Sequence, residues 1–512
     1  MATKEVLRTK LEDIIHFLTP FLPLVNSHVV NFITDNQWDN TVPENLKAEF
    51  SAKGFENITN LLWRYQEDPT CLSDDVSSSP LVQHFIEAQK VSLTSLPNLC
   101  LSLNDLQTKL ASLHCKEHTN LKISRLMSEK KSYEVDVMSQ VVLSMVSATD
   151  CSHIVDIGGG KAYLSSNLSL QHNLKVLSID QCKGNTHGAA ERLERLKKVW
   201  NCVKYNAENP SEKKKGKNWK SKTKIPPAES TLNFQNSEAG GNPLFKQRTE
   251  FVTSTTDIQH ILRDSFPGDS ITGAGLVGLH TCGNLASAHL RIFVQNLNVF
   301  KFLLNIGCCY HLIQEEFNED KFWNEIKACM EDQVEPGFPM SSFLREREFF
   351  LSRNPRMLAT QSPDRVLHER KLQTVPLFYR SLLQVLLINK SNSVDDFPHC
   401  VVGRLATKCT NFTEYAFKAV KKLGLKATVT EDELDELYKS HYYHFDRIQM
   451  FFLIRVGLST VLESLILLDR LLYLHEQGVE DSFIAQIFDP VKSPRCYAII
   501  SIRKNDSKDG KS

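Results

Sequence analysis

Asp156, Gly158, Gly160 and Asp180 are the first residues of this 512-residue chain whose types and spacing can do chemistry. A short apolar run (Ile154, Val155, Ile157) leads into three glycines, and a helical pattern containing Leu164 and Leu168 follows. Glycine lets the chain turn sharply and lets a ligand approach the main chain, while the following helix start offers unpaired N–H groups. A second apolar run, Leu174 to Ile179, ends in Asp180, where a carboxylate can meet ribose hydroxyls. A second set lies farther along, in His280-Thr281-Cys282-Gly283 and in Asn305-Ile306-Gly307-Cys308-Cys309-Tyr310-His311. His280 and His311 can accept a proton, and Asn305 and Tyr310 can orient an acceptor. Cys282, Cys308, Cys309 and His311, with His280, are also permissible zinc ligands. Their spacings are not those of common structural zinc modules, and adjacent cysteines on a strand point opposite ways. A metal site is therefore the weaker alternative.

These residues need elements to hold them. Apolar runs at 154–157, Leu174–Ile179, Glu250–Thr253, Gly275–His280 and Lys301–Gly307 read as strands. A helical pattern, Ser132–Val146, leads into the first, and others, among them Ala189–Val203 and Leu285–Leu297, separate them. Such alternation predicts a parallel sheet with helices on both faces, which binds ligands beyond the carboxyl ends of its strands. Phe483–Phe488 and Cys496–Ile502 are joined by a short proline-containing loop and can neighbour each other only as antiparallel strands. The expected fold is α/β, a seven-stranded Rossmann-like sheet with an antiparallel last strand. A helical N-terminal region, 1–125, precedes a second domain, 126–512. That domain carries a disordered basic insertion, 206–247, and a helical insertion, 315–480. The lysines from Lys213 to Lys224 read as a nuclear-import signal, a nucleic-acid tether or a merely soluble loop. The charged stretch Glu129-Lys130-Lys131 opens the helix before the first strand, either as a solvated start or as part of the site.

The loop's spacing narrows what it holds. A dinucleotide fingerprint requires a third glycine where Tyr163 stands, which weakens an NAD enzyme, and no phosphate-binding Gly-Lys-Ser/Thr loop is present. What remains is D-x-G-x-G-x-A, which resembles motif I of the S-adenosylmethionine-dependent methyltransferases, where glycine is usual at the position of Ala162. The resemblance assigns Asp156, Gly158 and Gly160 to the methionine end, Asp180 to the ribose, and Asp257, more weakly, to the adenine. His280 would border both cofactor and acceptor, with Asn305 and His311 on the acceptor side. Seen together, Met127-Ser128-x-Lys130-Lys131-x-x-Glu134-Val135, the Asp156 loop, Gly278-Leu279-His280-x-Cys282-Gly283-x-Leu285, Gly307-Cys308-Cys309-Tyr310-His311 and Phe488-Asp489-Pro490-x-x-Ser493-Pro494-Arg495 are similar to the signatures of the methyltransferase-like protein 25 family. That group includes a relative named for a ribosomal-RNA adenine dimethylase-like domain. The resemblance implies the fold and S-adenosylmethionine more firmly than any substrate. The Asn/Asp-Pro-Pro-Tyr sequence of many base-amine methyltransferases is absent after Gly275–His280, which disfavours an acceptor of that usual type.

Composition sets the outer limits. Sixty basic and sixty acidic residues cancel, so the chain as a whole is not a basic nucleic-acid binder, although a local basic surface remains open. Thirteen cysteines without small-domain spacing suggest reduced thiols, no disulfide-linked partner, and a cytoplasmic or nuclear setting. The first residues lack the apolar stretch of a signal peptide. Arg455, Glu463, Asp469 and Arg470 interrupt the apolar run Met450–Leu474, which favours a buried helix over a membrane span. The bulk of the helical additions points to a macromolecular acceptor, RNA or protein. The alternative from another class is a catalytically inactive methyltransferase fold acting as an interaction scaffold.

Overall fold

In His153–Ile157 every residue is buried, as a strand covered on both faces requires. It is the second of eight strands among the described residues: β1 (Cys100–Leu101), β2 (His153–Ile157), β3 (Lys175–Asp180), β4 (Phe245–Thr249), β5 (Ala274–Cys282), β6 (Phe300–Cys308), β7 (Ser482–Gln486) and β8 (Tyr497–Ile502). The computed structural model describes residues 3–70, 73–96, 99–112, 127–208, 244–318, 335–372, 374–390, 402–424 and 429–503. Two compact units emerge. One comprises Leu101–Gly307, Asp481–Phe488 and Cys496–Ser512; the other comprises Met1–Cys100, Cys308–Glu480 and Asp489–Arg495.

The sheet runs in the order β1-β7-β8-β6-β5-β2-β3-β4. β2 pairs in parallel with β3 and β5, β3 pairs in parallel with β4, and β8 is antiparallel to both β6 and β7. This is the expected Rossmann-like α/β sheet with its antiparallel final pair. It gains one short strand, β1, whose two residues are too few to show any periodicity. The third parallel strand is displaced from expectation. Residues 250–253 are irregular, and β4 occupies Phe245–Thr249 instead, inside the segment assigned to the basic insertion. An edge strand has one partner and keeps polar side chains in solvent, so Lys246, Gln247 and Arg248 conceal it. Both ends of the segment 206–247 thus lie in regular elements: residues 206–208 continue the helix Lys183–Glu208, and 245–247 belong to β4, while the lysines from 213 to 224 lie outside the described residues.

The other unit is helical, drawing on Lys4–Leu18, Glu44–Glu67, Pro80–Val91 and Thr374–Lys390 around His444–Glu476. By length and composition that last helix could cross a membrane; here most of it is buried in the unit's interior. Three of the four charges that interrupt its apolar sequence are bound from within. Asp469 accepts hydrogen bonds from Met340 N (2.8 Å), Ser341 N (2.9 Å) and Ser341 Oγ (2.6 Å), and Arg455 Nη2 donates to Val25 O (3.2 Å). Glu463 accepts from Tyr310 Oη (2.8 Å) and Arg495 Nη1 (2.7 Å). Burial costs an ion several kcal/mol unless such bonds replace its water.

Candidate active site at the carboxyl edge of the sheet

β2 and β3 end side by side, with Asp156 opposite Ser178 and Ile157 opposite Ile179. The glycine turn begins there: Gly158 N and Gly159 N both donate to Ile179 O (2.8 and 3.1 Å). Gly158 and Gly160 have positive φ (75° and 56°), a region favoured by glycine. Gly159 is required for space. A Cβ there would overlap Ser178 Oγ and come within 3.1 Å of Asp156 Oδ2. The sequence pattern treated this residue as a free position between two meaningful glycines.

Asp180 closes β3 and is bonded to the turn. Its Oδ2 accepts from Gly160 N (3.0 Å), and its Oδ1 accepts from Cys182 N (2.9 Å) and Asn185 Nδ2 (3.1 Å). A carboxylate has about four lone-pair sites, so about one remains for a further donor. Its half-buried setting leaves it open to a ribose hydroxyl. A glycine turn with close backbone approach and a strand-end acid fit the ribose and the adjoining part of S-adenosylmethionine.

Asp156 does something other than expected. It is 1% exposed, its Oδ2 accepts from Ser165 Oγ, and its Oδ1 is buried without a partner among the described residues. The carboxyl is therefore buried beside the turn and bonded to the helix that follows it. Burial, reinforced by Asp180, pushes its pKa up to about 6 despite the Ser165 bond. A raised folded-state pKa favours folding while the group is protonated, below about 4, and that advantage is lost as pH rises through about 6. Asp156→Asn should remove this dependence. Urea denaturation should show the variant gaining on the wild type between pH 4 and 8, by at most about 3 kcal/mol.

Ala162 has φ 52°, which explains why glycine is usual at this position. Its methyl is fully buried in a cluster with Ala189, Leu193 and Phe245, against which Leu170 packs. The methyl tightens the interior and does not crowd the ligand side of the turn.

His280, near the end of β5, also holds positive φ (64°). Its Nε2 lies 3.0 Å from Glu134 Oε2, whose side chain is 2% exposed and whose other oxygen lies 3.5 Å from Lys130 Nζ. Glu134 belongs to the helix Glu129–Thr149. The charged stretch before the first strand thus contributes a carboxylate to the histidine at the site, a partnership that sequence reasoning did not identify. Cys282 is exposed two residues on, its Sγ 3.4 Å from His280 O.

Three other candidates are placed elsewhere. Asn305, expected on the acceptor side, is 1% exposed, and its Nδ2 contacts Thr281 Oγ1 (3.1 Å) and His289 Nδ1 (2.7 Å). Burial presses the His289 pKa down to about 3, so this is an interior network of neutral groups. Asp257 is the N-cap of Ile258–Ser265, accepting from His260 N (2.9 Å), which accounts for an acid at that position without an adenine. His311 belongs to the helical unit, in the turn Tyr310–Leu312. It is half-buried, and burial, with Arg353 and Arg356 nearby, lowers its pKa. Cys308 closes β6, and Cys309 follows it with φ 49°.

The parallel sheet with its antiparallel final pair and acid-bound glycine turn defines a methyltransferase fold, and a family model described as a methyltransferase domain matches residues 130–316. The chain is 30% identical to the Mus musculus protein named "Probable methyltransferase-like protein 25", the match covering 97% of each. It is 29% identical to the Homo sapiens protein of the same name, again over 97% of each. The chain belongs to the methyltransferase-like protein 25 family.

Proposed function

We propose that this methyltransferase takes its methyl group from S-adenosylmethionine and delivers it to a macromolecular acceptor, RNA or protein, in the cytoplasm or nucleus. The observation that carries the reading is the Asp180 carboxylate, fixed to Gly160 N–H at 3.0 Å with about one acceptor position left. When bound, the sulfonium supplies an electrophilic methyl group. The chain's own task is to align the acceptor and exclude water. Gly158 to Gly160 let the ligand approach the backbone, and Asp180 fixes its ribose. With its Nε2 proton donated to Glu134, His280 has a Nδ1 lone pair available to take a proton from an acceptor that carries one. Glu134 acts through His280 by holding that tautomer and ring orientation.

The test is transfer of tritium from labelled donor into a lysate of cells lacking the protein, fractionated into RNA, protein and metabolites. Label in one macromolecular fraction supports the reading. Cofactor binding without label in any fraction leaves an interaction scaffold. On the responsive fraction, His280→Ala should lower the single-turnover rate by roughly 100-fold. Glu134→Gln keeps an acceptor for Nε2 and should lose less than Glu134→Ala; equal rates in all three variants would remove His280 from the chemistry.

A further inference from the structure

Tyr163, the first helical residue after the glycine turn, has two cations over its ring. Lys131 Nζ lies 4.6 Å from the ring centroid and Arg192 Cζ 4.3 Å. These residues come from three consecutive helices of the sheet-bearing unit: Glu129–Thr149, Tyr163–His172 and Lys183–Glu208. Arg192 is 7% exposed, and its Nε and Nη1 are buried without a partner among the described residues. No carboxylate is paired with it or with Lys131 among those residues. Burial without a counter-ion lowers the Arg192 pKa to about 10.

The neighbouring acids are otherwise engaged. Glu134 is held by Lys130 and His280, Asp180 by the turn, and Glu191 by His187 and Arg195. Two further lysines stand in adjoining segments: Lys161 is exposed in the glycine turn, and Lys183 is exposed at the start of the helix after β3. A tyrosine face offsets part of the cost of a buried guanidinium but leaves its charge unneutralised. The chain's formal charge is zero, so this is a local excess.

We propose that Lys131, Lys161 and Lys183 seat the phosphates of a nucleic-acid strand beside the methyl-transfer site, with the buried charge of Arg192 against Tyr163 adding to the attraction. The inference rests on the methyltransferase reading above and names its acceptor class. A single acceptor carboxylate needs one cation. Four cations in adjoining segments, none of them in an ion pair among the described residues, suit an anion that repeats.

Fluorescence anisotropy on the full chain tests this, with fluorescein-labelled oligouridylate and oligodeoxythymidylate as probes and polyglutamate as competitor. The variants are Lys131→Ala, Arg192→Met and the triple alanine variant of Lys131, Lys161 and Lys183. The lysines between 213 and 224 are present in every variant and cancel in the comparison. The triple variant should bind at least roughly 10-fold more weakly, with the salt slope reduced by about 0.7 for each lost phosphate contact. Arg192→Met should lose affinity while its melting temperature holds or rises, because an unpaired buried charge has been removed; a purely structural arginine would lower it. The tighter of the two probes identifies the sugar.

Unchanged nucleic-acid binding in the variants would overturn the proposal, and so would polyglutamate competing as well as RNA. So would weakened S-adenosylhomocysteine binding in Lys131→Ala, which would give these cations to the cofactor. Failure of the wild type to bind S-adenosylhomocysteine would strike the methyltransferase reading instead, and is read separately from the anisotropy.

Discussion

Gly159→Ala is expected to abolish cofactor binding and to destabilise the sheet-bearing unit. The new methyl would overlap Ser178 Oγ and press on Asp156 Oδ2 at 3.1 Å. Asp156 and Ser178 are opposed in adjacent strands and each is 1% exposed, which leaves either of them little space to move. Inserting a methyl into such packing costs about 1–3 kcal/mol. The turn is the part that can move, and moving it separates Gly160 N from Asp180. A displacement of about 1 Å removes the geometry on which tight binding depends, so affinity should fall by roughly 100-fold or more. Gly188→Ala is the control, because a methyl there meets nothing within 4 Å and the residue is helical. That variant should be stabilised by up to about 1 kcal/mol and bind normally. Melting curves with and without S-adenosylhomocysteine report both effects; equal ligand protection in the two variants would show that Gly159 is not needed.

The second large effect is expected in the helical unit. Arg495→Ala removes donors to Ala359 O (2.8 Å), Thr360 O (2.9 Å) and Gln361 O (3.3 Å), and leaves the Glu463 carboxylate buried with only Tyr310 Oη and more distant charges. Burial already raises the Glu463 pKa, and Arg495 is the foremost influence opposing that rise. Stranding one member of a buried ion pair costs about 3–5 kcal/mol, whereas removing both charges costs much less. Arg495→Met with Glu463→Gln should therefore recover the part of the stability loss due to the stranded carboxylate, while the three carbonyls remain without their donor. Urea denaturation of the two variants checks this, and a double variant no more stable than Arg495→Ala would refute the pairing.

The Arg495 prediction also shows what a sequence signature can hide. Arg495 belongs to the terminal motif that marks the family, yet its role is to close an interior ion pair with Glu463, a charge whose partner the apolar run around it does not reveal. The glycine turn and Asp180 were legible because apolar runs and glycine spacing are local properties. Glu134 and His280 are 146 positions apart, and no local pattern announces that a helix will return a carboxylate to a distant strand end. The burial of Asn305 was hidden for a different reason. β6 is buried on both faces, so alternation along it does not reveal which side meets a ligand. β4 was displaced because an edge strand tolerates the polar residues that usually mark a loop.

Isothermal titration of S-adenosylmethionine into the wild-type chain and Asp180→Ala tests the central claim most directly. Saturable single-site binding by the wild type, weakened roughly 100-fold in the variant with its circular dichroism unchanged, is the predicted result; the loss reflects three bonds to a charged acceptor and the remaining position for ribose. A wild type that takes up no ligand, or a variant that binds as tightly as the wild type, would contradict it.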